Sequence, residues 1–388
     1  MNPFTQEDHW PTWPIWDDLE LEYLKLCLES RRWSRGQIIK DFEEAFARFC
    51  GSKHALLVNT GTEALVIALK AVGVGPGDEV IVPGLTWPST ALAVLECGAK
   101  AIIVDIDIQT YSISIESIRE NLSPKTKAII AVHLFNSTAD LDALPEIVSE
   151  TDIHLIEDAA QAHGCRWRGK HVGNFGSFGA FSFQQKKIIT CGEGGCLITN
   201  NDELYSQAYS IRDHGARWNE SKIQRYGGNS RISGFNTAIL LAQLRRLPKL
   251  IEIEGKAGKY LTERLNCIPG IVCLEKREAI TQQSYYSFCF RLLNQNLFDN
   301  SAAIRQNLST LIPIEFTSTY PALDDKSFFK PFLEKRYTGL FQFSKLENCH
   351  RAYQEAIRFP HHYLLASDEQ LNALISNIEN VIEGVKNK

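Results

Sequence analysis

The residues best suited to chemistry lie in one stretch, 181–195 (FSFQQKKIITCGEGG), which ends an aromatic run typical of a strand. It holds Ser182, the adjacent pair Lys186 and Lys187, and glycines at 192, 194 and 195. Lysine is rarely fully buried, so this pair is poorly explained as core. A partly dry pocket or a cationic neighbour turns a lysine into an amine nucleophile, and each lysine could act on the other in this way. A solvated basic turn is the simpler alternative.

Two other polar segments follow predicted strands. Residues 59–62 (NTGT) open a helix, where backbone N–H groups and the helix dipole can hold a phosphate, although an ordinary N-cap explains this stretch as well. Residues 157–164 (EDAAQAHG) place Asp158 behind a buried strand, where a carboxylate needs a cationic partner because its desolvation is costly. Ligands bind at the carboxyl ends of strands in open parallel sheets, so these segments are candidates for one site.

Together the three segments favour one cofactor, pyridoxal 5'-phosphate. It needs a phosphate site, a carboxylate that keeps its ring nitrogen protonated, and a lysine that forms a Schiff base with it. A dinucleotide site is excluded by pattern, because the glycines at 73, 75 and 77 and those at 192, 194 and 195 both fail the G-x-G-x-x-G spacing. No metal site is predicted, because the adjacent His361 and His362 point in different directions and lack a local third ligand.

The bulk composition is that of an ordinary globular protein. The chain has 388 residues, a net charge of -5 and no dominant run of lysine or arginine, so neither nucleic acid nor a membrane is an expected partner. The ten cysteines are scattered without a C-x-x-C pair, which indicates buried thiols in a reducing compartment. With no signal-peptide pattern and no apolar run near the roughly 20 residues that span a bilayer, we expect a cytoplasmic protein.

Short apolar runs recur from residue 54 and predict the elements that position these residues. Continuous hydrophobicity marks strands covered on both faces, and the intervening segments are long enough for crossover helices. This pattern predicts an α/β fold with a mainly parallel sheet. The predicted strands are 54–58, 79–83, 101–105, 128–132, 153–156, 178–183 and 196–199.

The chain is long enough for two domains. We predict an N-terminal arm and large cofactor-binding domain over 1–250 and a smaller α+β C-terminal domain over 251–388. The tryptophan- and proline-rich arm leads into a helix over 17–30, and a second helix over 236–247 is expected to stop at Pro248. A final helix is capped by Ser367 and Gln370.

At these residues the chain resembles the DegT/DnrJ/EryC1/StrS family of sugar aminotransferases, which have the aspartate-aminotransferase fold (PLP fold type I). The likeness runs from about Trp10 to the last helix. Within the family it is most similar to glutamine-dependent aminotransferases of scyllo-inosose-type cyclitols and to 3-amino-5-hydroxybenzoate synthases. The motifs that carry it are 59–65 (NTGTEAL), 82–87 (VPGLTW), 132–135 (VHLF), 157–164 (EDAAQAHG) and 181–195.

The resemblance implies a role for each matching residue. It implies that Lys187 is the Schiff-base lysine, not Lys186, which stands where close relatives have glycine. It implies that Asp158 faces the pyridinium nitrogen. The other implied cofactor contacts are Gln161 near the phenolic oxygen, Trp87 stacked on the ring, Gly61, Thr62 and Ser182 at the phosphate, and Asn229 reaching the phosphate of a neighbouring subunit. A homodimer with shared active sites follows from that last contact.

The predicted function is transfer of an amino group from glutamine or glutamate to a keto sugar or keto cyclitol by a ping-pong Schiff-base mechanism. Two alternatives stay open: a dehydratase of the 3-amino-5-hydroxybenzoate synthase type, and a non-catalytic regulatory member of the family. Arg231 is a candidate for the donor carboxylate, with a surface ion pair as its alternative. The loops 317–321 and 359–363 are candidates for the cavity entrance.

Overall fold

The computed structural model describes residues 9–149, 151–216 and 226–386. Its helices are α1 (Asp18–Ser30), α2 (Gln37–Cys50), α3 (Gly61–Ala71), α4 (Ser89–Glu96), α5 (Ile115–Asn121), α6 (Ala143–Val148), α7 (Asp202–Arg212), α8 (Gly234–Leu265), α9 (Gln295–Asp299), α10 (Ser301–Leu311), α11 (Lys330–Arg336), α12 (Glu347–Glu355) and α13 (Asp368–Lys386), with a 3-10 turn at His361–Leu365. Its strands are β1 (His54–Val58), β2 (Glu79–Pro83), β3 (Lys100–Val104), β4 (Thr126–Val132), β5 (His154–Asp158), β6 (Arg166–Trp167), β7 (Lys170–His171), β8 (Phe178–Ser182), β9 (Gly195–Thr199), β10 (Ile271–Cys273), β11 (Ile280–Gln282), β12 (Ser287–Leu292), β13 (Phe341–Phe343) and β14 (Ala356–Pro360).

The central sheet has eight strands in the order β1-β9-β8-β5-β4-β2-β3-β13. All neighbours from β8 to β13 pair in parallel, whereas β9 is antiparallel to both β1 and β8. The seven strands predicted from apolar runs are all present, within two residues at each end, and the predicted mainly parallel sheet is confirmed.

Both faces of this sheet are covered, which explains why its strands are continuously apolar. Within β4, the side chains of Ala128, Ile130 and Val132 pack into one core, while those of Ile129 and Ala131 pack into another on the opposite face. Polar side chains are costly along such strands, so they collect where the strands end.

Helix α8 differs from the prediction, because it continues through Pro248 to Leu265. Proline lacks the N–H that would bond the carbonyl of residue 244 and costs a helix interior about 3 kcal/mol. The side chains of Leu244, Leu247, Leu250 and Ile251 are buried on either side of it. Each contributes about 1.5–3 kcal/mol by burial, so tertiary packing outweighs the local preference.

Helix α8 also spans the predicted domain boundary at residues 250 and 251. Its first half packs into the core of α2 and β8, whereas Ala257, Leu261 and Leu265 pack with β10, β12, β14 and α13. Strand β13, from the C-terminal part, pairs with β3 of the large sheet. The division into two domains stays a prediction, and the C-terminal part contributes to both cores.

The N-terminal arm is fixed against α8 by buried polar contacts. Glu20 of α1 receives hydrogen bonds from Arg246 and from Gln243 Nε2, the latter at 2.8 Å, and Gln243 also donates to the carbonyl of Ile15. Asp17 caps α1, close to the predicted start of that helix. These contacts hold the arm, and with it Trp13, beside the sheet.

The capping of the final helix is as predicted. Ser367 N–H donates to the side chain of Gln370, and Gln370 N–H donates to the Ser367 hydroxyl. No helix in the described part of the chain is long and apolar enough to cross a membrane.

Two glycines of α8 make a matched test of this packing. A Cβ on Gly258 would lie 2.3 Å from the Tyr285 ring, whereas one on Gly255 would meet nothing within 4 Å. We expect Gly258→Ala to lower the free energy of unfolding by about 1–3 kcal/mol through overpacking. Gly255→Ala is expected to raise it by about 1 kcal/mol, the helix preference for alanine. Urea denaturation of both variants measures this, and equal effects would contradict the close contact at Gly258.

Candidate active site

A cavity of about 880 Å³ opens at the carboxyl ends of β5 and β8. The start of α3 and the loop after β8 form one side, and residues of β12 and β14 form the other. Of the eight residues implied by the resemblance, the cavity is lined by seven: Gly61, Thr62, Trp87, Asp158, Gln161, Ser182 and Lys187. These residues are far apart in sequence, and the sheet brings them together.

Lys187 lies in the turn after β8, with its amine 4.4 Å from the centre of the Tyr286 ring. Desolvation of this amine lowers its pKa, while Tyr286, Asp158 and Glu193 act in the opposite direction. Lys186 is exposed and contributes nothing to that lowering. The pKa of Lys187 is therefore lowered by its own desolvation and not, as the sequence suggested, by the charge of Lys186.

Asp158 is the last residue of β5 and is only 7% exposed. Its two oxygens accept hydrogen bonds from the Thr90 hydroxyl at 2.9 Å and from the N–H of Ala160 at 3.2 Å. Burial raises the pKa of this carboxyl, against the hydrogen bonds and the more distant charge of Lys187. Because no described cation forms an ion pair with it, Asp158 is suited to a cation that enters the cavity.

Glu157, its neighbour in the motif, has a different environment. It faces away from the cavity and accepts hydrogen bonds from the N–H groups of Gly173, Phe175 and Gly176 at 2.6 to 3.0 Å. His133 contacts it at 3.2 Å. These contacts lower its pKa despite complete burial, and the side chain fixes the 173–176 loop.

The turn that begins α3 packs closely on the end of β8. A Cβ on Gly61 would lie 2.6 Å from the Cβ of Ser182, so a larger residue does not fit there. The Thr60 side chain caps the helix by accepting from Glu63 N–H at 3.1 Å. The hydroxyl of Thr62 donates to Ser89, and that of Ser182 accepts only a long bond of 3.4 Å from Gln184 N–H. This group of hydroxyls and N–H groups at a helix N-terminus is suited to a phosphate.

Trp87 and Gln161 line the space between Asp158 and the mouth of the cavity. Trp87 is 54% exposed and meets the Tyr320 ring edge-on at 5.4 Å, so it is not a core residue. Gln161 accepts from the N–H of Phe135 at 2.8 Å and approaches the Tyr320 hydroxyl at 3.4 Å. An aromatic face and an amide are thus available to a planar polar ring.

Two of the sequence candidates lie outside this cavity. Asn229 is exposed and does not line it. Arg231 forms an ion pair with Asp213, which also pairs with Arg35. Arg231 therefore lies in an ion pair, which was the alternative to its binding the donor carboxylate.

Among the cavity residues that were not predicted as site residues are Trp13, Tyr286 and Arg358. Trp13 of the arm donates its indole N–H to the carbonyl of Gln185 at 2.9 Å, and Tyr286 lies under the Lys187 amine. Arg358 projects from β14. Trp13 lies in the tryptophan- and proline-rich arm that the sequence analysis noted, whereas no sequence pattern marked Tyr286 or Arg358. The loops around 317–321 and 359–363 do line the cavity, through Thr317, Tyr320, Pro360, His362 and Tyr363.

The donor set fits pyridoxal phosphate and does not resemble a metal centre. It combines a desolvated amine, a buried carboxylate without a direct cation, and a close-packed helix N-terminus with hydroxyls. Within residues 9–149, 151–216 and 226–386, no group of three or more His, Cys, Asp or Glu side chains could hold a metal ion. His361 instead contacts Glu254 at 2.8 Å, and its ring is nearly perpendicular to that of His362.

Comparison with known proteins places this cavity in a family. A sequence model of the DegT/DnrJ/EryC1/StrS aminotransferase family matches residues 14–379. The L-glutamine:scyllo-inosose aminotransferase of Streptomyces griseus is 32% identical to this chain over an alignment 411 residues long, gaps included. The alignment covers 99% of this chain and 97% of the relative.

Solved structures give the same result. 3-Amino-5-hydroxybenzoic acid synthase superposes with a TM-score of 0.89 at 31% identity, covering 97% of this chain and 99% of that chain. The E coli GDP-4-keto-6-deoxy-D-mannose-3-dehydratase with bound hydrated PLP has a TM-score of 0.83 at 26% identity, covering 95% and 99%. These likenesses and the mainly parallel sheet confirm the predicted fold class.

The desolvated amine leads to a pH prediction. In the cofactor-free protein we expect the pKa of Lys187 to lie below that of an ordinary lysine, because burial disfavours its charged form. The neutral, reactive amine should then persist to lower pH than usual. Competitive acetylation over a pH series, followed by peptide mass spectrometry, measures this pKa. Lys186 on the same peptide controls for reagent access, and a Lys187 pKa at or above the usual value would contradict the prediction.

Proposed function

The chain belongs to the DegT/DnrJ/EryC1/StrS aminotransferase family, and on this premise we propose that it moves an amino group from glutamine or glutamate to a keto cyclitol or keto sugar. Its cofactor is pyridoxal 5'-phosphate. The observation that carries the proposal is the presence of Lys187 and Asp158 in one cavity, an amine nucleophile beside a buried carboxylate that lacks a direct cation. The name of the Streptomyces griseus relative supports glutamine as donor and a cyclitol as acceptor.

When bound, the cofactor supplies an electron sink for the negative charge that develops on the donor's α carbon. The residues of the chain hold and move the protons. With the cofactor bound, Asp158, oriented by the Thr90 hydroxyl and the Ala160 N–H, would hold the proton on the ring nitrogen through a charge-assisted hydrogen bond. Lys187 would hold the cofactor through its amine, and its free Nζ would accept the α proton of the donor. Because its pKa is lowered, more of the Lys187 amine is neutral and able to accept the α proton.

The remaining cavity residues bind and orient. The N–H groups at the start of α3, with Thr62 and Ser182, would hold the phosphate, and the absence of a side chain at Gly61 lets the two segments approach. Trp87 would stack on the ring of the bound cofactor. Gln161, fixed by the Phe135 N–H, would contact the phenolic oxygen.

We also propose that the protein is a homodimer with shared active sites and that it is located in the cytoplasm. Exposed apolar side chains at the start of the chain favour a second subunit, since Trp16, Leu26 and Trp33 are each at least half exposed. Asn229, which lies outside its own cavity, is available to a partner. All ten cysteines are free and nine are buried, which is typical of a reducing compartment.

The transfer reaction is tested by its two half-reactions. The cofactor-loaded protein is mixed with glutamine or glutamate, and conversion to the amine form of the cofactor is followed by its absorption. The amine form is then offered a panel of keto cyclitols, free keto sugars and nucleotide-linked keto sugars. We expect conversion by a donor and reversal by at least one acceptor, as ping-pong transfer requires.

Three results would contradict the transfer proposal. If neither glutamine nor glutamate produces the amine form, the proposed amino transfer from these donors is excluded. Consumption of a substrate by dehydration without that form would favour the 3-amino-5-hydroxybenzoate synthase type. A protein that takes up no cofactor would favour a non-catalytic member of the family.

Shared sites are tested by complementation. Lys187→Ala and Asn229→Ala should each be nearly inactive alone, because each damages both sites of a homodimer. A mixed dimer has one site with both substitutions and one site with neither. Unfolding and refolding an equal mixture should therefore restore about a quarter of the wild-type activity, from mixed dimers forming half of the population with one intact site each. No recovery, with mixed dimers verified by mass spectrometry, would show that each chain supplies both residues to its own site.

A further inference from the structure

The Lys187 amine lies over the face of an aromatic ring. Its nitrogen is 4.4 Å from the centre of the Tyr286 ring. Within the part of the chain that the structure describes, this amine forms no hydrogen bond and has no carboxylate within the 4.0 Å ion-pair distance. A positive charge is attracted to an aromatic face when it lies within about 6 Å of the ring centre. The Tyr286 ring is therefore the group that directly meets a charge on this amine.

Burial sets this contact apart from those of other lysines in the chain. Lys170 lies over the Phe175 ring at 4.6 Å, but its side chain is exposed. Lys53 is exposed too and pairs with the carboxylate of Asp202. The Lys187 amine is desolvated, and an attraction between a charge and a ring is stronger where water is excluded.

The backbone of Tyr286 is fixed on both sides. Its N–H donates to the carbonyl of Phe135 at 3.0 Å, and its carbonyl accepts from the N–H of His361 at 3.2 Å. The ring itself packs against the core that includes β4. Because these contacts do not involve Lys187, the ring keeps its place when the amine gains or loses a proton.

An aromatic face suits an amine that alternates between a neutral and a charged form. A carboxylate in contact would hold the amine protonated, and a hydrogen-bond donor would occupy the lone pair that has to accept a proton. The ring attracts the ammonium and leaves the lone pair of the neutral amine free. Burial lowers the pKa of Lys187, whereas Tyr286, Asp158 and Glu193 act in the opposite direction.

We propose that Tyr286 is a catalytic residue whose ring face stabilises the positive charge that forms on Lys187 when it accepts the α proton. This role rests on the aminotransferase function proposed above. In that step the Cα–H bond of the donor breaks, its electron pair passes to the bound cofactor, and its proton forms a new N–H bond on Nζ. The attraction to the ring grows as this charge develops, so it lowers the barrier to proton abstraction.

The experiment grades the attraction of the ring at nearly constant size. Tyr286→Phe removes the hydroxyl, and one, two or three fluorine atoms on that ring then weaken its negative face stepwise. Tyr286→Leu removes the ring. The pKa of Lys187 is measured in the cofactor-free variants by competitive acetylation, with Lys186 as internal reference. The donor half-reaction of the holoenzymes is measured with glutamine and α-deuterated glutamine, whose isotope effect shows that proton abstraction is observed.

We expect the pKa of Lys187 to fall with each fluorine, because the charged form loses attraction while burial stays the same. At a pH where the amine is neutral in every variant, proton abstraction should slow in the same order, by about fivefold to tenfold for the trifluorinated ring. Tyr286→Phe should match the wild type in both measurements. Tyr363→Leu, which removes another ring from the cavity wall, should leave the pKa of Lys187 unchanged.

Three outcomes would overturn this role. If neither the pKa nor the rate follows the fluorine series, the ring only fills space or excludes water. If Tyr286→Phe loses as much as Tyr286→Leu, the hydroxyl acts and not the ring. If the wild type converts neither donor, the proposed function fails and the catalytic role fails with it, although the pKa series still tests the contact between ring and amine. Should Tyr286→Leu not fold, the fluorinated variants decide, because they keep the shape of the ring.

Discussion

A carboxylate buried at the end of a central strand sets the main constraint on this site. Asp158 is desolvated because β5 lies inside a sheet that is covered on both faces. Two neutral donors orient it, and its charge is not matched by a cation in contact among the described residues. Such a group costs free energy until a cation reaches it. The protonated ring nitrogen of the proposed cofactor is a cation of the required kind.

The two sides of the cavity come from different parts of the chain. The large sheet and the segments that follow its strands supply the carboxylate, the lysine and the helix N-terminus, while Tyr286 just before β12 and Arg358 of β14 come from the C-terminal part. Helix α8 packs into both the core that contains β8 and the core that contains β12 and β14.

Adjacent residues of the same type have different environments in this protein. Glu157 and Asp158 are neighbours on one strand, so their side chains point to opposite faces, and one fixes a loop while the other enters the cavity. Lys186 and Lys187 differ because the turn after β8 buries one amine and exposes the other. In each pair, burial and side-chain orientation give different environments to two residues that their residue type alone does not distinguish.

By itself, the sequence determined the parallel sheet, the seven strands, the capped final helix and seven residues that line one cavity. The strands and the cap were accessible because continuous apolar runs and capping residues are local signals, and the seven cavity residues because the motifs at strand ends resemble those of a known family. Only the tertiary structure decided that α8 passes through Pro248, that Arg231 is held by Asp213, and that Trp13, Tyr286 and Arg358 reach the cavity. The physical reason is that each of these depends on packing between segments distant in sequence, where burial energy and the availability of a counter-ion override local preference.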